Sequence, residues 1–252
     1  MKNKGQVTIF VIIGIIIVAA IVMIFFVDTN KITSSGRDFD NPESYVDNCI
    51  KERAEVVIKE ILAGGGFIGA NDTMMYMGKE ITYLCKNINN FEPCINQRAV
   101  YLGQVEKELE KNIKDDVEQC FASMKQEFVR KNYEFNSGAI TIDAKLKPAI
   151  VEIVTSSDVS ISKNGYSKTF SKFETFVPSV IYDLGFIANE IVAQEAQWCY
   201  FSNDGFMTLY PNYDIRVNLL DETTKIYTIM DKNTKDKLMM ATRGCAMPAG
   251  LF

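Results

Sequence analysis

The side chains with the most chemistry to offer are six cysteines, Cys49, Cys85, Cys94, Cys120, Cys199 and Cys245. A thiol can ligate a metal, act as a nucleophile or close a disulfide, and spacing and company decide among these. No two of the six form a Cys-x-x-Cys pair, and the chain contains no histidine. A zinc site would therefore need four thiolates at ligand spacings that the sequence lacks. The missing imidazole also removes the usual general base near neutral pH. An even set of cysteines, all downstream of a long apolar run, reads as three disulfides in an oxidising compartment, with buried free thiols as the alternative.

The carboxylates offer less. Asp115 and Asp116 are neighbours on a helical stretch, where adjacent side chains point about 100° apart and no third ligand follows by spacing. Glu190 and Glu195, five residues apart on another helix, diverge by about 140°, which argues against an acid/base dyad. Gly64-Gly65-Gly66 lacks the Lys-Ser/Thr of a phosphate loop and follows a helical pattern, so it reads as a helix terminator. We expect no catalytic, cofactor-binding or metal residues. The net charge of −5, from 27 basic and 32 acidic side chains, contains no cationic block that would follow a nucleic-acid backbone.

These residues must be positioned by the rest of the chain, which opens MKNKGQVTIF. From Val7 to Val27 run 21 residues whose only polar side chain is Thr8. As a helix this run would be roughly 31 Å long, enough to span a bilayer. It exceeds the apolar region of a secretory signal, and no Ala-x-Ala site ends it. Lys2 and Lys4 precede it, so the N-terminus is expected in the cytoplasm and residues 28–252 outside, in a single-pass arrangement at the cell membrane. Gly14, Ala19 and Ala20 are small enough to admit a second helix, which would give a homo-oligomer or filament contact; the plainer reading is a lipid-facing anchor.

Lys4-Gly5-Gln6 at the mouth of an apolar helix resembles the class III signal peptide of archaeal type IV pilins and archaellins. The resemblance covers about the first 27 residues. It implies a prepilin peptidase as partner, cleavage between Gly5 and Gln6, and an apolar helix kept as both anchor and filament core. Many pilins carry glutamate at the fifth mature position, where this chain has Phe10. The opening also resembles uncharacterised single-span archaeal surface proteins.

Beyond the membrane, residues 28–40 are polar and lack apolar periodicity, as in a tether. Asn41-Pro42-Glu43 signals a helix start, and Val46, Ile50, Ala54, Val57, Ile58 and Ile61 give that helix one apolar face before the glycine triplet. MMYMGKEITYL reads as a hairpin or a lone extended segment around Gly78-Lys79. Leu102, Val105, Leu109, Ile113, Val117, Phe121, Met124 and Phe128 form the stripe of a second helix, whose charged side, Glu106, Lys107, Glu110, Lys111, Lys114 and Glu118, is expected to face water.

From Gly138 the pattern changes. Residues 139–147 alternate as a strand with one wet face, residues 149–155 read as a more buried strand, and Val159 to Ser162 lead into Asn164-Gly165, the preferred pair for a tight hairpin turn. Tyr166 to Val177 should return antiparallel. A third helix follows Pro178-Ser179, with Val180, Leu184, Ile187 and Ile191 inward, and strands are expected at Tyr213 to Leu220, Lys225 to Met230 and Leu238 to Thr242. The expected fold is α+β: an N-terminal transmembrane helix, then an extracytoplasmic domain over 41–252 of antiparallel sheet packed with amphipathic helices, mainly helical over 41–135 and sheet plus helix over 138–252.

Fifteen pairings of six cysteines are possible. Proximity and helix pairing rank Cys85 with Cys94, Cys49 with Cys120, and Cys199 with Cys245, while leaving the others open. Asn71-Asp72-Thr73 is the Asn-x-Ser/Thr acceptor, in an expected loop. The reading that follows is a membrane-anchored cell-surface protein with a disulfide-stapled ectodomain and a non-enzymatic binding or structural role. The alternatives are a pilin-like subunit, as a minor or tip pilin, and an ectoenzyme, for which no convergent set of residues is found.

Overall fold

The computed structural model describes residues 41–89 and 92–246. The expected span 7–27, the tether, and Gly5, Gln6, Phe10, Gly14, Ala19 and Ala20 lie outside them. Among the described residues no helix is long and apolar enough to cross a membrane.

Helix α1, Pro42–Ala63, starts with proline and Glu43 in its first turn and buries Val46, Ile50, Ala54, Val57, Ile58, Ile61 and Leu62. Its end is built by the glycine triplet. Gly66 N–H donates to the Ile61 carbonyl at 2.8 Å, Gly65 N–H reaches that of Leu62 at 3.5 Å, and Gly65 has a φ of 77°. This is the paired bonding of a Schellman stop, whose left-handed residue favours glycine. The terminator reading is thereby accounted for in hydrogen bonds.

Strands β1, Thr73–Tyr76, and β2, Lys79–Lys86, form a hairpin. Its two turn residues, Met77 at φ 50° and Gly78 at φ 77°, both have the left-handed backbone of a tight turn, one residue earlier than Gly78-Lys79. After β3, Ile95–Asn96, comes α2, Tyr101–Arg130, a 30-residue helix with Val105, Leu109, Ile113, Val117, Cys120, Phe121, Met124 and Phe128 buried.

Strands β4, Glu134–Ser137, β5, Thr141–Lys147, β6, Ile150–Lys163, and β7, Tyr166–Pro178, make one antiparallel sheet. The stretches read as separate strands at 149–155 and 159–162 are one strand, β6, with a register shift between Ser156 and Val159. The bulge explains both features: β5 pairs with β6 before it and β4 after it, and buried positions on β7 move from Phe170 to Phe173, Thr175 and Val177. Gly138 N–H donates to the Asp158 carbonyl at 2.9 Å, holding the β4–β5 link on the bulge. Asn164 and Gly165, at φ 53° and 81°, form the expected hairpin turn.

Helix α3, Ile181–Trp198, and a short α4, Asn203–Leu209, absent from the sequence reading, precede β8, Tyr213–Leu219, β9, Thr224–Asp231, and β10, Lys237–Arg243. The second sheet runs β1-β2-β10-β9-β8, with β3 beside β2. It is mixed rather than antiparallel, because β10 and β2 run parallel. Thus 41–135 is two long helices separated by strands that join the C-terminal sheet, and both halves of the chain build it together. Helix α1 touches β7 of one sheet and β10 of the other, α2 covers β4 and β5, and α3 covers β9 and β10.

The charged side of α2 departs from expectation. Glu106 accepts from Leu146 N–H and Glu110 from Ala144 N–H, both at 3.0 Å. Four helical residues rise about 6 Å. Two strand residues rise about 6.6 Å, so the i,i+4 carboxylates match alternate amides on the edge of β5. An exposed strand edge is thereby covered by side chains instead of a further strand. Lys114 and Glu118 face water, as expected.

Removing either carboxylate leaves a part-buried amide without its charged acceptor. Glu106→Ala and Glu110→Ala should each destabilise by about 1.5–3 kcal/mol. Urea unfolding checks this, with Lys114→Ala expected within about 0.5 kcal/mol of the parent.

Candidate functional site

Each cysteine is bridged: Cys49–Cys120, Cys85–Cys94 and Cys199–Cys245, with Cα separations of 5.9, 5.3 and 5.9 Å. These are the first-ranked pairings. The first bridge joins α1 to α2, the second closes the loop between β2 and β3, and the third ties the end of α3 to the segment after β10. With no free cysteine, thiol chemistry is unavailable.

Of the carboxylates singled out, Asp115 is exposed, and Asp116, Glu190 and Glu195 have structural partners. Asp116 faces Arg53 of α1 at 3.4 Å, and Glu190 accepts from the Gln194 amide at 2.8 Å. Glu195 is the departure. It is 4% exposed and meets Lys225 of β9, also buried, with Nζ at 2.8 and 2.9 Å from its two oxygens. Lys225 spends its third proton on the Cys199 carbonyl at 2.7 Å, and the Tyr227 hydroxyl donates to Glu195. Cys199 ends α3 in the left-handed conformation, so the ammonium sits at the negative end of that helix. Nothing in the local pattern marks this pair, since Lys225 stands at the start of a strand that follows a polar turn. Every donor of the ammonium is matched, and the cluster is shut from solvent, so it pins α3 to β9 and offers no reactive group to a substrate.

The glycine triplet is a second junction. A Cβ on Gly65 would lie 2.8 Å from the Met239 carbonyl, and one on Gly66 would lie 2.6 Å from Tyr101 Oη. The Tyr101 hydroxyl donates to the Gly65 carbonyl at 3.1 Å, while Thr82 N–H and Oγ1 both donate to the Gly64 carbonyl, at 3.1 and 2.7 Å. The end of α1, the start of α2, β2 and β10 converge there.

Beyond this junction the chain runs as a loop, residues 67–72, carrying Asn71, which is exposed as a glycan acceptor must be. On one side of the loop, a cleft of about 530 Å³ borders Val56, Lys59 and Lys79. On the other, a cleft of about 810 Å³ lies between the loop and the first turns of α2, with Arg98 in its wall. The Arg98 guanidinium lies over the Phe67 ring, 4.5 Å from its centroid. Neither cleft has a motif in the sequence, because its walls are a loop and one helix face brought together by packing. Among the described residues no cluster of three or more Cys, Asp or Glu is arranged to hold a metal.

Breaking the buried pair by Lys225→Met strands the Glu195 charge and should cost about 3–5 kcal/mol. Glu195→Gln with Lys225→Met should recover a large part of that loss in the same unfolding experiment. Burial pushes the Tyr101 phenol well above its usual range. Tyr227 shifts the same way through burial first and then the Glu195 charge. In the unfolded chain both ionise near pH ~10. The folded state then holds protons the unfolded state has lost, so their contribution is fully present below that pH and falls above it by about 1.4 kcal/mol per pH unit per tyrosine. Tyr101→Phe should flatten the alkaline limb by one such slope, measured by unfolding at a series of pH values.

The chain matches no family model, no curated protein and no solved structure.

Proposed function

We infer that the protein is a membrane-anchored cell-surface protein whose disulfide-stapled ectodomain serves a non-enzymatic binding or structural role. The observation that carries this reading is the joint presence of three disulfides closing all six cysteines and an uninterrupted apolar run at residues 7–27. Disulfides persist outside the reducing cytosol, and a run of that length and composition suits a bilayer span. The carboxylates singled out as possible acid/base groups are engaged in ion pairs or hydrogen bonds, which supports a non-catalytic role. Two open clefts flanking one loop support a binding role.

A second reading, a pilin-like minor or tip subunit, is favoured by one feature: Gly5-Gln6 directly ahead of the apolar run, after two lysines. In that reading residues 1–5 are removed by a prepilin peptidase and the apolar helix packs in a filament core, with Gly14, Ala19 and Ala20 permitting close approach.

Fractionation of the native source tests anchoring: the protein should stay with membranes after alkaline carbonate washing, and protease added to intact cells should digest it beyond residue 27. Recovery in the soluble cytosolic fraction would overturn the anchored reading. N-terminal mass spectrometry separates the two readings, since a mature chain beginning at Gln6 supports the pilin-like subunit and an intact N-terminus removes its basis.

A further inference from the structure

The larger cleft, between the loop after α1 and the first turns of α2, contains one unbalanced charge. Its carboxylates are already committed: Glu106 accepts from Leu146 N–H at 3.0 Å, and Glu108 accepts from Ile68 N–H at 3.3 Å and from the Asn112 amide at 2.8 Å. Two of its cations are matched as well. Lys107 bonds Glu110 at 2.7 Å, and Lys111 lies 3.7 Å from Glu108. Among the described residues the Arg98 guanidinium has no ion pair and no hydrogen-bond acceptor. Its Nε is buried without an acceptor, an unmet donor of a kind that native folds rarely leave.

The guanidinium is held rather than loose. Its position over the Phe67 ring gives it a cation–π contact, and the Asn96 side chain accepts from Arg98 N–H at 2.7 Å, fixing the backbone that carries it. A preorganised planar fork suits the two oxygens of a carboxylate. The adjacent start of α2 adds to the same sign: Val100 supplies no side-chain cap and the first turn has no acid. One uncompensated positive charge beside two carboxylates favours a monoanion over a dianionic phosphate, because each further negative charge would face Glu106 and Glu108. Gln104, also in the wall, offers an amide donor and acceptor that has no side-chain partner among the described residues, which suits a hydroxyl-bearing ligand.

We propose that this cleft binds a sugar acid, with the carboxylate on Arg98 and the hydroxyls toward Gln104. The site deepens the binding role inferred above and rests on it, but not on the membrane anchor. The test is ligand-observed saturation-transfer NMR on the full chain in detergent micelles, using sodium glucuronate, with glucose and inorganic sulfate as comparison probes. Glucuronate should bind, glucose should not, and sulfate should bind more weakly than glucuronate. Losing a charged, bidentate contact should lower glucuronate affinity about tenfold or more in Arg98→Gln. Arg98→Lys keeps the cation and an alkyl stem over Phe67 but loses the fork, so it should remain folded by circular dichroism and still bind more weakly than the parent. No glucuronate signal at millimolar concentration, equal binding of glucose, preference for sulfate, or affinity unchanged in a folded Arg98→Lys chain would each overturn the site. A chain that fractionates with membranes yet ignores glucuronate loses this site alone, whereas a cytosolic chain loses the anchored reading.

Discussion

The domain depends on how α1 and α2 are fixed against each other. Their contacts keep a nearly constant sum of residue numbers, the mark of antiparallel neighbours: Cys49 bonds Cys120, Arg53 pairs with Asp116 one turn along, and Gly66 abuts Tyr101 at the other end. The exposed ion pair contributes little on its own. The disulfide at one end and the glycine junction at the other allow one register. On the chain-entropy account, a bridge closing the loop between residues 71 apart stabilises by about 4.4 kcal/mol.

With that seam set, the two sheets are placed by opposite sides of the helix pair. Helix α2 lies along β5 with Glu106 and Glu110 seated on its edge amides, while the end of α1 delivers the Gly64 carbonyl to Thr82 of β2 and packs Gly65 under β10. The same junction throws the chain outward as the loop that separates the two clefts. The cleft wall containing Arg98 is therefore a consequence of the helix seam: Phe67 follows the triplet that ends α1, and Arg98 lies three residues ahead of Tyr101, where α2 begins.

Where apolar periodicity was strong, the sequence was enough to read the structure. The stripes of α1, α2 and α3, the alternation in β5 and the Asn164-Gly165 turn each depend on local spacing, and local spacing survives into the fold. The cysteine pairing was legible because two of the bridges join elements that periodicity had already set side by side or close in sequence. What escaped were contacts whose partners are distant in sequence and polar. Glu106 and Glu110 carry the same pattern as any solvated face, and only the nearby edge of β5 gives them acceptor roles. Glu195 and Lys225 are separated by a short helix and a strand, with nothing local to mark either as buried. The parallel pairing of β2 with β10 spans most of the domain, and the bulge in β6 looks in sequence like a break. Arg98 is a single cation in a loop; what sets it apart is that no acceptor meets its guanidinium among the described residues, which spacing does not encode.

The proposed place of this domain outside the cytoplasm requires it to be oxidised, held by three specific bridges. Peptide mapping of the natively expressed protein, alkylated before digestion and kept unreduced, tests it most directly. The account predicts linked peptides joining Cys49 to Cys120, Cys85 to Cys94 and Cys199 to Cys245, with no alkylated cysteine. Six alkylated cysteines, or bridges between other partners, would contradict it.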